Sequence, residues 1–148
     1  MSLVVDNTPY VALIDDDAHS ARLLARMLLA HGAPRIETFS GSEDAFTRLS
    51  PLLAPTARAL PTLVIVDLKA HSGANLEFVT AFTPGIGRLD IPLVVMAQRF
   101  DRDVAAALYD AGAAAVFTRH AELDAYRREA ANIVSFWARS QRLDAVGM

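Results

Sequence analysis

Asp15, Asp16 and Asp17 stand in a row directly after the apolar run Val11-Ala12-Leu13-Ile14, and Asp67 directly follows a second run, Leu63-Val64-Ile65-Val66. Carboxylates packed this closely repel one another unless something positive sits among them. One is accounted for by local structure. A helical pattern begins at Ala18, and an Asp just before it accepts from the first free helix N–H groups. Asp15 and Asp16 need other work. Oxygen-only ligands at a strand end suit a hard cation such as Mg²⁺. If both runs are neighbouring strands of one parallel sheet, Asp15, Asp16 and Asp67 converge at its carboxyl edge, where open α/β sheets bind ligands.

The elements that would position these acids alternate along the chain. Strands are expected at Tyr10 to Asp15, Arg35 to Phe39, Thr62 to Asp67, Ile91 to Met96 and Ala113 to Thr118. The central runs are apolar throughout, which means burial on both faces. The first helix, Ala18 to His31, carries Leu24, Met27 and Leu28 at helical spacing and stops at Gly32. Ser40-Gly41-Ser42-Glu43 has the form of a capping box for the second, with Ala45, Phe46, Leu49 and Leu52 or Leu53 on one face. The third carries Leu76, Val79 and Phe82 and is expected to break at Thr83-Pro84-Gly85-Ile86-Gly87. The fourth starts at Asp101 or Asp103, turns Val104, Ala107 and Leu108 inward, and ends near Gly112. The last runs from about Glu122 to Arg142. Alternation of this kind forces right-handed crossovers and a parallel sheet. A doubly wound α/β sheet of order 2-1-3-4-5, flavodoxin-like, follows and sets Asp67 beside Asp15 and Asp16. Residues 1–9 read as a frayed leader, 10–142 as one domain, and 143–148 as a flexible tail.

Composition narrows the functional classes. The 148 residues suit one domain, and 53% hydrophobic content supplies its core. A net charge of −3 without a clustered basic face gives no sign of nucleic-acid binding. With no cysteine, disulfides and thiolate metal sites are excluded. No apolar run approaches the roughly 18 residues of a membrane span, and no signal pattern opens the chain, so a cytoplasmic protein is the simplest expectation. His19, His31, His71 and His120 lack metal-ligand spacing and read as surface or helix-end residues.

From Tyr10 to about Gln141 the chain resembles the CheY-like receiver domains of two-component response regulators. The acidic pair after strand 1 matches Asp15 and Asp16, and the phosphate-accepting aspartate after strand 3 matches Asp67. The resemblance implies that a histidine kinase passes a phosphoryl group to Asp67. It also implies that Mg²⁺ sits on Asp16, Asp67 and the main-chain carbonyl of Lys69, with Asp15 acting through water. Phosphoryl transfer needs an in-line nucleophile and a cation to absorb charge on the equatorial oxygens. Such a domain is a signalling phosphoacceptor, with slow autodephosphorylation at most, and not an enzyme in its own right.

The departures fall on other parts of the pattern. Ala97 stands where the family has Thr or Ser and cannot donate to a phosphoryl oxygen. Arg119 replaces the phosphate-pairing Lys, keeping the charge in a longer, planar group. His120 replaces the following Pro, so a trans bond is expected. Val116 replaces the aromatic of strand 5, and Ala70, His71 and Asn75 replace the Met-Pro pair and the later Gly. Arg119-His120-Ala121-Glu122-Leu123 and Ile133-Val134-Ser135-Phe136-Trp137 resemble stand-alone receivers paired with phytochrome kinases. That narrower likeness implies a homodimer through the last helix, with Ile133, Phe136 and Trp137 in the interface. Adjacent helical positions point about 100° apart, which places Phe136 and Trp137 on different faces. Three functions compete: a phosphorylatable receiver, a phosphate-independent pseudo-receiver favoured by Ala97, and a Mg²⁺-dependent phosphohydrolase. The last would need a general acid two residues beyond the nucleophile, where Lys69 stands.

Overall fold

The structure is a computed structural model, and it describes residues 8–53 and 60–146. The leader residues 1–7 and most of the loop expected from Pro55 to Pro61 lie outside them, as do the last two residues of the expected tail. Five strands, β1 (Tyr10–Asp15), β2 (Arg35–Phe39), β3 (Leu63–Asp67), β4 (Leu93–Ala97) and β5 (Ala115–Thr118), form one parallel sheet of order β2-β1-β3-β4-β5. Between and after them run α1 (Ala18–Ala30), α2 (Ser42–Leu49), α3 (Ala74–Ile86), α4 (Arg102–Ala111) and α5 (Leu123–Val146). Short 3-10 turns extend α2 over Ser50–Leu53 and α3 over Gly87–Leu89. Every residue of β1 and β3 is buried, as their unbroken apolar runs require, while β5 at the edge is half-buried.

Alternate residues of each strand serve opposite layers. Tyr10, Ala12 and Ile14 of β1, with Val64, Val66, Leu93 and Val95, pack under α2, α3 and α4. Phe46, Phe78 and Phe82 form an aromatic group there, with ring centroids 4.9–5.5 Å apart. Val11, Leu13, Leu63, Ile65, Val94 and Met96 face α1 and α5, meeting Leu24, Leu28, Tyr126, Ala130 and Ile133. Each such large side chain contributes about 1.5–3 kcal/mol on full burial, so the sheet that carries the acids is a rigid platform.

Local sequence rules hold at most places and fail at a few. Asp17 caps α1, accepting from the His19 and Ser20 N–H groups at 3.0 and 3.2 Å. Asp101 caps α4, and Gly112 ends it with φ +118°. The capping box at Ser40 is corrected: the N-cap is Gly41, and Asp44 rather than Glu43 reaches back to the Ser40 N–H at 2.9 Å. The break of α3 falls at the far end of the expected stretch: the helix passes Pro84, ends at Ile86 and is capped by Gly87. An interior proline costs about 3 kcal/mol. Here Thr80, whose carbonyl loses its partner, faces solvent, and continuing the helix buries Ile86. Leu76 and Val104, expected inward, are exposed; Phe78 is buried on α3, and Leu108 is buried as expected. Finally, α5 continues through Val146, past its expected end.

Candidate functional site

β1 and β3 lie side by side in a register that pairs Asp15 with Asp67. Both are buried, at 2% and 0% exposure, and they are the buried charged residues among those described. Asp16 is exposed, in the bend just past the end of β1. Its carboxylate accepts the Lys69 N–H at 2.9 and 3.1 Å and the Ala70 N–H at 2.9 Å, so Asp16 fastens the β3–α3 loop. The expected convergence of three carboxylates is therefore corrected. Among the described residues, no three acid or histidine side chains form a ligand set.

Two cations pair with the buried acids. The Lys69 ammonium lies 2.6 Å from Asp15 Oδ1, 3.2 Å from Asp67 Oδ2 and 3.0 Å from the Asp67 carbonyl oxygen. The Arg119 guanidinium, from the end of β5, donates to Asp67 Oδ1. Asp15 Oδ1 also accepts the Asp17 N–H at 2.9 Å. Two negative and two positive groups thus form a charge-balanced cluster. Burying charges is costly, and such a cluster persists only because each group is paired.

The pairing is incomplete. Asp15 Oδ2, Asp67 Oδ2 and the Tyr126 hydroxyl are buried without a hydrogen bond. Burial pushes the Asp67 carboxyl up to about 6, with Asp15 adding to the shift and Lys69 and Arg119 opposing it. The Tyr126 hydroxyl, beneath the cluster on α5, is also raised, first by burial and then by the Asp67 charge. Asp15 Oδ2 has no partner and Asp67 Oδ2 has only the Lys69 ammonium, and carboxylate oxygens are the donors a hard cation takes. The Asp15–Asp67 pair therefore fits a divalent cation once the Lys69 ammonium withdraws.

Asn75 is a positioning residue that sequence reasoning named only as a replacement for glycine. Its Oδ1 accepts the Leu68 N–H at 2.8 Å, and its Nδ2 donates to the Met96 carbonyl at 3.1 Å. It ties the end of β3, where Asp67 sits, to the end of β4. No spacing in the sequence signals this bridge, because the partners are main-chain groups.

Ala97 ends β4 opposite Thr118. Its methyl lines a cleft of about 440 Å³ with Lys69, Asn75, Arg99, Val104 and Arg119 among the other walls. Val116 packs half-buried on the α3–α4 side, whereas Phe117 points to α5 and meets Phe136 edge-on at 6.1 Å. No cis peptide bond occurs among the described residues, His120 included. Glu129 of α5 accepts the Thr118 N–H at 2.8 Å and lies 3.7 Å from His120, anchoring the loop after β5.

The expected interface residues are largely used inside the protomer. Ile133 is 1% exposed and faces the sheet, so its placement at a dimer surface is corrected. The Trp137 indole donates to Thr62 Oγ1 at 2.9 Å, and Phe136 and Trp137 both pack half-buried against the α1–α5 layer. The two adjacent aromatics straddle the line of contact instead of facing apart.

No family model and no curated protein matches the chain. Solved structures do match. RcpA, described as a phosphorylated cyanobacterial phytochrome response regulator, is 21% identical, with 88% of this chain and 94% of that one covered at a TM-score of 0.73. The Mn²⁺-bound form of response regulator Rcp1 is 18% identical, with 87% and 94% covered at 0.70. A response regulator receiver domain from Rhodospirillum rubrum is 19% identical, with 87% and 93% covered at 0.71. Among the described residues, no helix is long and apolar enough to cross a membrane. Likeness at these identities is a likeness of fold, and the fold of this chain is that of a CheY-like response regulator receiver domain.

Proposed function

We propose that the chain is a phosphoacceptor receiver, taking a phosphoryl group from a sensor histidine kinase onto Asp67 and signalling in the cytoplasm through protein–protein contact. The observation that carries this is the placement of Asp67: buried at the end of β3, paired in register with Asp15, and held by a guanidinium from the end of β5. In the transfer, an Asp67 carboxylate oxygen forms a bond to phosphorus as the P–N bond to the kinase histidine breaks, and the electron pair returns to the imidazole. Arg119 shifts from the carboxylate to the transferred group, for which a bidentate fork is suited. Asn75 and Asp16 hold the β3–α3 loop still while this happens. Asp15 and Asp67 would hold Mg²⁺, which when bound supplies positive charge to the phosphoryl oxygens. A phytochrome-class kinase is favoured as donor by the likeness to RcpA and by the Phe136–Trp137 pair. Self-association through α5 would rest on Phe136 and Trp137.

A phosphate-independent pseudo-receiver is the second reading. Asp67 has no exposed surface, and Lys69 and Arg119 cover it with side chains only 24% and 19% exposed. Ala97 offers the phosphoryl group nothing. Incubation with Mg²⁺ and a small phosphodonor, followed by intact-mass measurement, separates the two. A phosphorylated wild type and an unmodified Asp67→Asn support the acceptor. An unmodified wild type supports the pseudo-receiver.

A further inference from the structure

We infer that Lys69 is a tethered competitor for the divalent cation of this site, an internal ammonium that keeps the metal position filled until a metal displaces it. The inference rests on the Asp15–Asp67 pair being the cation site proposed above, and it assigns that site its regulator. The ammonium is held by three oxygens from both strands, at 2.6, 3.0 and 3.2 Å. Its own main-chain N–H is pinned by Asp16, so the base of the tether is fixed. Lys69 is the single lysine among the chain's fourteen Lys and Arg residues. Everywhere else the chain uses arginine, and here it uses the compact ammonium that fits a space bounded by oxygens. The side chain is 24% exposed and lines the 440 Å³ cleft, so it has a way out.

Charge arithmetic gives the exchange a consequence. With the ammonium in place, Lys69 and Arg119 balance Asp15 and Asp67, and the cluster has no surplus charge to draw a phosphoryl dianion. With a divalent cation in its place, the same two carboxylates and Arg119 carry a net charge of about +1, which favours the dianion. The competitor therefore couples readiness for phosphate to metal occupancy. It also weakens apparent metal affinity by the fraction of molecules in which the position is free, about tenfold if that fraction is about a tenth.

Two measurements test this. Mn²⁺ is titrated into metal-free wild type, Lys69→Met and Lys69→Gln, with binding followed by calorimetry and by the electron paramagnetic resonance of free Mn²⁺. Both variants should bind about tenfold more tightly than wild type. Equal affinity in all three would overturn the competitor and leave the phosphoacceptor untouched. Folded variants that bind no Mn²⁺ would instead remove the Asp15–Asp67 cation site itself. The second measurement uses wild type alone. Amine acylation of Lys69, read by peptide mass, should quicken on adding Mg²⁺ while the N-terminal amine keeps its rate. An unchanged Lys69 rate at a Mg²⁺ concentration that saturates the site would overturn the displacement.

Discussion

Asp67→Asn should make the protein more stable above neutral pH and leave its stability nearly unchanged in mild acid. The Asp67 carboxyl is raised from 3.8 to about 6 by burial, so the folded state holds this proton more tightly than the unfolded chain does. A raised group contributes stability that is fully present below its unfolded value and lost as pH climbs through its folded value. The window is therefore about pH 4 to 6. Raising the carboxyl from 3.8 to about 6, at about 1.4 kcal/mol per tenfold change in proton affinity, amounts to about 3 kcal/mol lost on passing through it. Asparagine mimics the protonated acid and does not titrate. Its lost ion pairs with Lys69 and Arg119 are equally lost in the protonated wild type, so they cancel in the comparison. Asp17 and Asp44, held below their ordinary value by main-chain N–H donors, lose stability only under about pH 4 and stay outside the window. Melting of both proteins in EDTA at about pH 4 and about pH 7.5 measures the difference. For a chain of this size, about 3 kcal/mol appears as about 6–12 °C between the two midpoints at the higher pH. A gap that stays constant across the window would refute the buried, proton-holding Asp67. Saturating Mg²⁺ should shrink the gap, because a bound cation favours the ionised acid.

Ala97→Thr should enlarge the phosphorylation-dependent amide shifts in α4 and β5, because it restores a donor that differs between the two states; shifts as large in wild type would show that the hydroxyl is not the missing part. Gly112→Ala should destabilise by about 1–3 kcal/mol, since φ is +118° and a Cβ would meet Thr83 at 3.0 Å, and chemical denaturation would reveal a neutral substitution if that strain is absent. Wild type should sediment as a dimer at tens of micromolar and Phe136→Glu as a folded monomer, whereas a monomeric wild type would end the α5 interface.

The sheet was legible in the sequence because its signals are local and redundant. Two apolar runs that stop at acids, separated by a helix-strand-helix pattern, leave little choice but neighbouring strands with Asp15 beside Asp67. The direction of Asp16 was not legible, because β1 ends at Asp15 and the Lys69 and Ala70 N–H groups of a distant loop decide where its carboxylate goes. What single-residue rules could not reach were the contests with tertiary packing. Proline at 84 ends a helix in isolation, and burial of Ile86 outweighs it. Trp137 looks like surplus apolar surface until Thr62, distant in sequence, supplies a partner for its N–H. The Lys69 ammonium has several places to go from a flexible stem, and only the folded site, with two buried carboxylates and a carbonyl at one point, decides among them.

The phosphoacceptor role stands or falls on where the phosphoryl group is found. After incubation with Mg²⁺ and a small phosphodonor, borohydride reduction converts an aspartyl phosphate to homoserine, and peptide mass mapping locates it. Homoserine at position 67, absent from Asp67→Asn, is the expected result. Homoserine at position 15 or 16, or no homoserine at all, would contradict it.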